Sequence, residues 1–244
     1  MRDKIRVKFE KTGMMKFIGH LDVMRYFQKA IRRANIDIAY SEGFSPHQKM
    51  SFAAPLGIGL VGMGEYFDIE VYSIQGSSED MKNALNNTMV DGFKVVSLRK
   101  LPENVPNAMS SVYAADYTVT IHGDNIKLSP KELSEKIIAF YNQDTIITEK
   151  ETKKSTRMLD IKPLIYSLTS VDGVTKMCLS TGSTDNIKPE LVMQKFCETY
   201  LGIEYTEDPI LFDYQRDEVY TNVAKEGEAM KLVTLEDMGE VIEG

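Results

Sequence analysis

The sequence predicts an α+β protein made of two ferredoxin-like α/β sandwich domains and a short acidic C-terminal tail. Three observations carry that expectation. The 244 residues exceed one compact domain and suit two of about 100–120 residues each. Strand-type alternation and helix-type spacing succeed one another twice, in the order strand, helix, paired strands, helix, strand. The Pro-rich stretch Pro102–Ser111 separates the two runs as a linker. The expected boundaries are therefore 1–104 and 112–212 for the domains and 213–244 for the tail.

The first element is a strand over Lys4–Glu10, where Ile5, Val7 and Phe9 alternate with charged residues. After a turn at Gly13, a helix runs from His20 and Asp22 to about Ala34. Leu21, Met24, Phe27, Ile31 and Ala34 recur at threes and fours as its apolar face. Arg25, Lys29, Arg32 and Arg33 fall on the other side as a basic stripe. Short strands follow over Ile36–Ser41 and Lys49–Ala54, joined by the loop Glu42–Gln48, which Gly43 and Pro46 set. A glycine-rich connection leads to a strand over Tyr66–Tyr72. A helix over Ser78–Met89 has Glu79 and Asp80 in its first turn, where the macrodipole favours acids. Phe93–Leu101 closes the first domain as a strand.

The second run opens with a strand over Tyr113–His122. Ser129-Pro130-Lys131-Glu132 then supplies a helix cap, a proline at the first helical position and a glutamate that closes a capping box. Thr145–Thr148 and Met177–Thr181 read as strands, with an irregular piece around Pro163. A last helix runs from Pro189 to Tyr200 and stops at Gly202. From Tyr214 onward the periodicity is weak, which predicts a partly disordered tail.

Composition narrows the class. With 43% hydrophobic and 27% charged residues the chain is ordinary globular material. Two cysteines, Cys178 and Cys197, provide no disulfide framework, which suits a reducing compartment. No stretch has the length and apolar content of a signal peptide or a membrane span, so a cytoplasmic location without membrane contact is expected. The net charge of −7 is uneven. Residues 1–55 hold eleven Lys/Arg against five Asp/Glu, or +6, whereas residues 201–244 hold three against twelve, or −9. An acidic chain is no general nucleic-acid binder, yet its basic end leaves a specific one open. The acidic end reads as a solvated tail, or as a shield for the basic end.

Metal chemistry is disfavoured. Zinc needs about four close Cys or His ligands, and an iron–sulfur cluster needs three or four cysteines. Here Cys178 and Cys197 are far apart and His20, His47 and His122 are scattered. Both cysteines read as small buried hydrophobes, and no cofactor is expected. Gly57-Ile58-Gly59-Leu60-Val61-Gly62 fits a bare dinucleotide fingerprint, but a strand follows it where a helix would have to receive the pyrophosphate.

The informative constellation lies in the first 55 residues. Arg25, Lys29, Arg32, Arg33, His47 and Lys49 offer phosphate contacts, and Phe44 an aromatic on which a base could stack. His20 and Asp22 would organise the helix start. The bland alternative is a solvated helix face whose charges pair locally. A catalytic alternative uses His20 and His47 as acid and base on a phosphodiester. Thr152-Lys153-Lys154-Ser155-Thr156-Arg157 is either an exposed hairpin turn or a second phosphate holder.

Phe17-Ile18-Gly19-His20-Leu21-Asp22, Ile31-Arg32-Arg33-Ala34, Tyr40 to His47 and Ser51-Phe52-Ala53 resemble a specific family, the bacterial radical-SAM-linked proteins. These form a domain of unknown function encoded beside, or fused behind, a radical SAM protein. Asp160-Ile161-Lys162-Pro163-Leu164-Ile165 and Lys188-Pro189-Glu190 look like its second-half signatures, and the resemblance covers roughly residues 1–205. It implies an accessory role in which a radical SAM partner performs the chemistry, and the family's genomic setting implies an RNA substrate. No catalytic residue carries over from it. A pair of ferredoxin-like domains also looks like CRISPR RNA-processing endonucleases, a likeness of fold and not of site. The expectation is thus an RNA-binding accessory module that presents tRNA or rRNA to a radical SAM partner. An RNA-cleaving or RNA-modifying enzyme and a protein-only adaptor are the alternatives.

Overall fold

The computed structural model describes residues 2–122, 128–152, 155–182, 186–202 and 212–244. The chain is mixed α+β, with few helices and strands paired mostly antiparallel. It opens with β1 (Asp3–Lys11), α1 (His20–Arg33), β2 (Met50–Phe52), β3 (Val61–Val71), α2 (Ser78–Asn86), β4 (Phe93–Leu101) and the one-turn α3 (Ala108–Ser111). Next come β5 (Ala114–Ile121), α4 (Pro130–Tyr141), β6 (Ile147–Thr152), β7 (Ser155–Asp160), β8 (Ile165–Val171), β9 (Val174–Ser180) and α5 (Pro189–Phe196). Strands β10 (Phe212–Asn222) and β11 (Leu232–Thr234) end the chain. Two compact units result, residues 1–113 with 216–244, and residues 114–215.

In the first unit β1 is central, antiparallel to β3 on one side and β4 on the other, and β2 adds to β3. The alternation read in β1 decides which face is dry. Ile5, Val7 and Phe9 pack with Phe67, Ile69 and Val71 of β3 under Val23, Phe27 and Ile31 of α1 and Met81 and Leu85 of α2. Phe9, Phe27, Phe52 and Phe67 meet edge-on or tilted, with ring centroids 4.7–6.3 Å apart. Each such side chain, fully buried, contributes about 1.5–3 kcal/mol. Leu21 is not part of this core. The buried positions of α1 are Val23, Phe27, Ala30 and Ile31, a stripe that turns Leu21 outward and leaves it 59% exposed.

The opposite face of the same sheet is polar and covered. Arg6 is fully buried and forks onto Asp68, with Nε donating to Oδ1 at 2.8 Å and Nη2 to Oδ2 at 3.0 Å. Lys8 donates to Glu218 and Glu236, each at 2.6 Å. The covering chain is residues 216–244, which the sequence assigned to a separate tail. Arg6 also donates to Leu235 O, Glu240 and Lys100 exchange two backbone bonds of 2.8 Å, and Ile242 bonds Ser78. Glu218 and Glu236 of this segment meet Lys8, a half-buried cation of β1, a long-range complementarity that helical or strand periodicity cannot register. Gly64 allows β10 to lie close, since a Cβ there would sit 2.6 Å from Asp217 O.

Local expectations differ from the structure elsewhere too. Ile36–Ser41 contributes only isolated bridges at Ile38 and Tyr40. Strand β3 begins at Val61 and absorbs the end of the glycine-rich connection. The linker holds α3, capped by Asn107.

In the second unit β9 lies between β5 and β8, antiparallel to both. Helix α4 packs on β8 and keeps the capping box expected of Ser129 and Glu132. Strands β6 and β7 form a separate hairpin paired as far as Thr152 and Ser155. Lys153 and Lys154 of the basic run at its tip lie outside the described residues. Helix α5 runs on through a π turn, Cys197–Leu201, to Gly202 in the left-handed region, and Phe140, Phe196 and Tyr200 cluster beside it.

Candidate nucleic-acid interface

Burial of Val23, Phe27, Ala30 and Ile31 fixes the rotation of α1, and Arg25, Lys29, Arg32 and Arg33 are consequently exposed. Arg25 approaches Asp22 at 3.4 Å, an exposed pair worth well under 1 kcal/mol. The side chains of Lys29, Arg32 and Arg33 have no hydrogen-bond or ion-pair partner among the described residues. Arg32 and Arg33 also sit in the last turn, where cations relieve the helix dipole. Arg25 and Lys29 lie outside that last turn and gain nothing from the dipole. Along the axis the stripe spans roughly 12 Å, from the eight steps of about 1.5 Å between Arg25 and Arg33.

The loop after Tyr40 is braced at its neck. Tyr40 bridges Gln48, Ser41 N donates to His47 O at 2.8 Å, and the Ser41 hydroxyl meets His47 Nδ1 at 2.8 Å. Gln48 Nε2 donates to Gln28 O at 3.1 Å, which ties the loop to the middle of α1. Phe44 stands fully exposed at the tip. His47 therefore shapes the loop, and nothing joins it to His20 among the described residues. Lys49 is engaged, with Nζ 2.9 Å from Glu70. Arg2 adds a cation nearby, 3.8 Å from Glu70, 3.9 Å from Glu42 and stacked over the Tyr72 ring at 5.4 Å.

His20 opens α1 immediately after Gly19, which has no side chain to cap the helix. Its ring stands edge-on to Phe52 at 5.1 Å, and burial, with the charge of Lys11, pushes its pKa down. Lys11, only 2% exposed, is itself pushed down by burial, although Glu65 opposes the shift. Glu65 in turn takes a bidentate fork from the buried Arg216, whose Nη2 also donates to Ala54 O at 2.8 Å. The sequence reading missed this polar cluster. Lys11 continues the Ile5, Val7, Phe9 alternation with a charge, and that break is the one local signal for it.

A cleft of about 270 Å³ opens on the polar face of the first unit, lined by Lys4, Lys49, Ser51, Asp68, Glu70 and Asn107. Among the described residues, no three His, Cys, Asp or Glu side chains are grouped to hold a metal ion. No helix among them is long and apolar enough to cross a membrane. Cys178 and Cys197 are buried, and burial pushes their thiols up to about 12 and about 11.

Residues 4–189 match the model of a family described as uncharacterized protein conserved in bacteria, DUF2344. The chain belongs to this family. No curated protein matches the sequence. Among solved structures, one from a Cbf5–Nop10–Gar1 complex is similar at 10% identity and a TM-score of 0.43, over 88% of this chain and 48% of that one. This family member thus spans about half the length of that chain. An unknown protein from Galdieria sulphuraria is similar at 11% identity and a TM-score of 0.28, over 88% and 99% of the two chains. Likeness of this order carries no functional argument.

Proposed function

We propose that this protein is an accessory module that holds a structured RNA, such as tRNA or rRNA, and presents it to a radical SAM partner. Arg25, Lys29, Arg32 and Arg33 contact phosphates, and Phe44 stacks on a base. The observation that carries the reading is the conjunction of three unpartnered cations on α1 with a fully exposed aromatic on a loop hydrogen-bonded to that helix. Cations that pair only with solvent lose little when they exchange it for phosphate, and a solvated aromatic gains by stacking. The partner rests on the family resemblance in Phe17–Asp22 and Tyr40–His47. The order β4-β1-β3-β2 in the first unit supports the finer reading of a ferredoxin-like sandwich there.

The test is a salt series on single-stranded and structured RNA with the wild type and an Arg25→Glu/Lys29→Glu/Arg32→Glu variant. Four phosphate contacts on a single strand correspond to a log–log slope of about −2.8, at roughly −0.7 each. The wild type is expected near that slope, and the variant no steeper than the roughly −0.7 that Arg33 alone supplies. Absence of wild-type binding at low salt, or equal binding by the variant, refutes the reading.

A further inference from the structure

The cleft on the polar face has a charge and a size that the α1 stripe does not share. Lys4 faces Glu70 in the β1–β3 register and Ser51 faces Asp68 in the β2–β3 register, so its floor is built from three strands. Asn107 walls it while its Oδ1 accepts from Ser110 N at 3.0 Å, which leaves the amide NH2 as a donor. Asp68 is spent on Arg6 and on Ala108 N at 2.7 Å. Glu70 is shared between Lys49 and Arg2. Lys4 and the Ser51 hydroxyl have no side-chain partner among the described residues.

The free donors decide what fits. Arg6 and Asp68 cancel, and Arg2, Lys4 and Lys49 against Glu70 and Glu42 leave +1 around the cleft, which admits an anion. A phosphomonoester presents three terminal oxygens to the Lys4 ammonium, the Ser51 hydroxyl and the Asn107 amide, whereas a phosphodiester presents two. A volume of about 270 Å³ is just below the usual range of small-molecule sites, roughly 300–1,000 Å³, and excludes a continuous duplex. The exposed ring of Tyr72 lies beyond Glu70 on the same strand face, held by Arg2, and Tyr40 N approaches its hydroxyl at 3.5 Å.

We propose that this cleft binds a phosphomonoester, the terminal phosphate of a nucleic-acid strand or of a free nucleotide. Lys4, Lys49, Ser51 and Asn107 hold the phosphate, and Tyr72 lies beside the attached base. The strand as source rests on the RNA reading above, whereas the cleft itself does not. The protein then recognises a strand end, with the α1 stripe holding the continuous backbone.

The experiment uses the full chain and an internally labelled 12-nucleotide RNA with a 5′-phosphate, a 3′-phosphate or hydroxyl ends, read by anisotropy. Calorimetry with adenosine monophosphate runs in parallel. The proteins are wild type, Lys4→Gln, Asn107→Asp and the α1 triple variant. Asn107→Asp keeps a good helix cap and adds a negative charge to the wall, so it loses the ligand without losing the fold. One phosphorylated end is expected to tighten wild-type binding about tenfold, and the two cleft variants to abolish that preference. The α1 variant weakens every oligonucleotide but keeps whatever end preference remains measurable. If no oligonucleotide binds while adenosine monophosphate binds wild type and not Lys4→Gln, the RNA reading fails and the cleft assignment stands. Equal wild-type affinity for phosphorylated and hydroxyl ends together with no nucleotide uptake overturns the assignment. Persistence of the preference in both cleft variants overturns it equally.

Discussion

Replacing Arg6 by methionine removes a fully buried guanidinium that makes four hydrogen bonds. Two of them neutralise Asp68, and the others satisfy Leu235 O and Pro106 O at 3.0 and 3.1 Å. The variant leaves a buried carboxylate whose remaining donor among the described residues is Ala108 N. Breaking one partner of a buried pair costs about 3–5 kcal/mol. For a chain of this length that lowers Tm by roughly 6–20 °C, at about 2–4 °C per kcal/mol. Adding Asp68→Leu removes the stranded charge, so part of the loss returns. Full rescue is not expected, because Ala108 N loses its acceptor, while Leu235 O and Pro106 O keep only the bonds from Met238 N and Ser111 Oγ, and a buried orphan costs about 1–3 kcal/mol. Far-UV circular dichroism in urea is the suitable assay, since the chain has no tryptophan to report on unfolding. A cost below about 1 kcal/mol for Arg6→Met, or complete rescue by the double variant, refutes this account. The same change releases the residue 106–108 wall from its anchor, so end-phosphate preference should fall with it.

Phe44→Ser removes a fully exposed ring, so stability should stay within about 0.5 kcal/mol while RNA binding loses about 1–3 kcal/mol. Unchanged affinity assigns the base contact elsewhere. Glu236 gives the protein an acid-sensitive clasp. Burial alone would raise its pKa, but hydrogen bonds from Lys8 and Ser97 outweigh that and hold it below the ordinary 4.5. Its contribution is therefore complete above pH 4.5 and disappears as pH falls through the depressed folded value. Tm measured from pH 6 to 3 should fall more steeply in wild type than in Glu236→Gln, and parallel curves would contradict the clasp. Cys178 and Cys197, buried and with thiols pushed up to about 12 and about 11, should resist maleimide at pH 7 and react in urea. Stoichiometric labelling of the folded protein within minutes would argue for an accessible thiolate.

Legibility followed the range of the interaction. Period-two alternation in β1 identified Ile5, Val7 and Phe9 as core because a strand must turn successive side chains to opposite faces. Capping chemistry located α4, since Ser129 and Glu132 act within one turn of each other. The basic stripe of α1 was readable for the same reason, while Leu21 was misassigned because two overlapping helical stripes fit the same spacing and only packing selects between them. Strands β7 and β8 escaped notice because neither has a strong alternation of its own, and their pairing partners supply the order.

By itself, then, the sequence determined the local elements, the exposed cations of α1 and the absence of a cysteine framework. Each depends on residues within a few positions of one another. The tertiary structure decided the fate of the charges. It buried Arg6 and Lys11, set Glu218 and Glu236 on Lys8, and drew residues 216–244 into the first unit. It also gathered Lys4, Lys49, Ser51 and Asn107 around one cleft. A charge near an opposite charge two hundred residues away carries no local signature, because Coulomb attraction and desolvation depend on distance in space and not on separation along the chain.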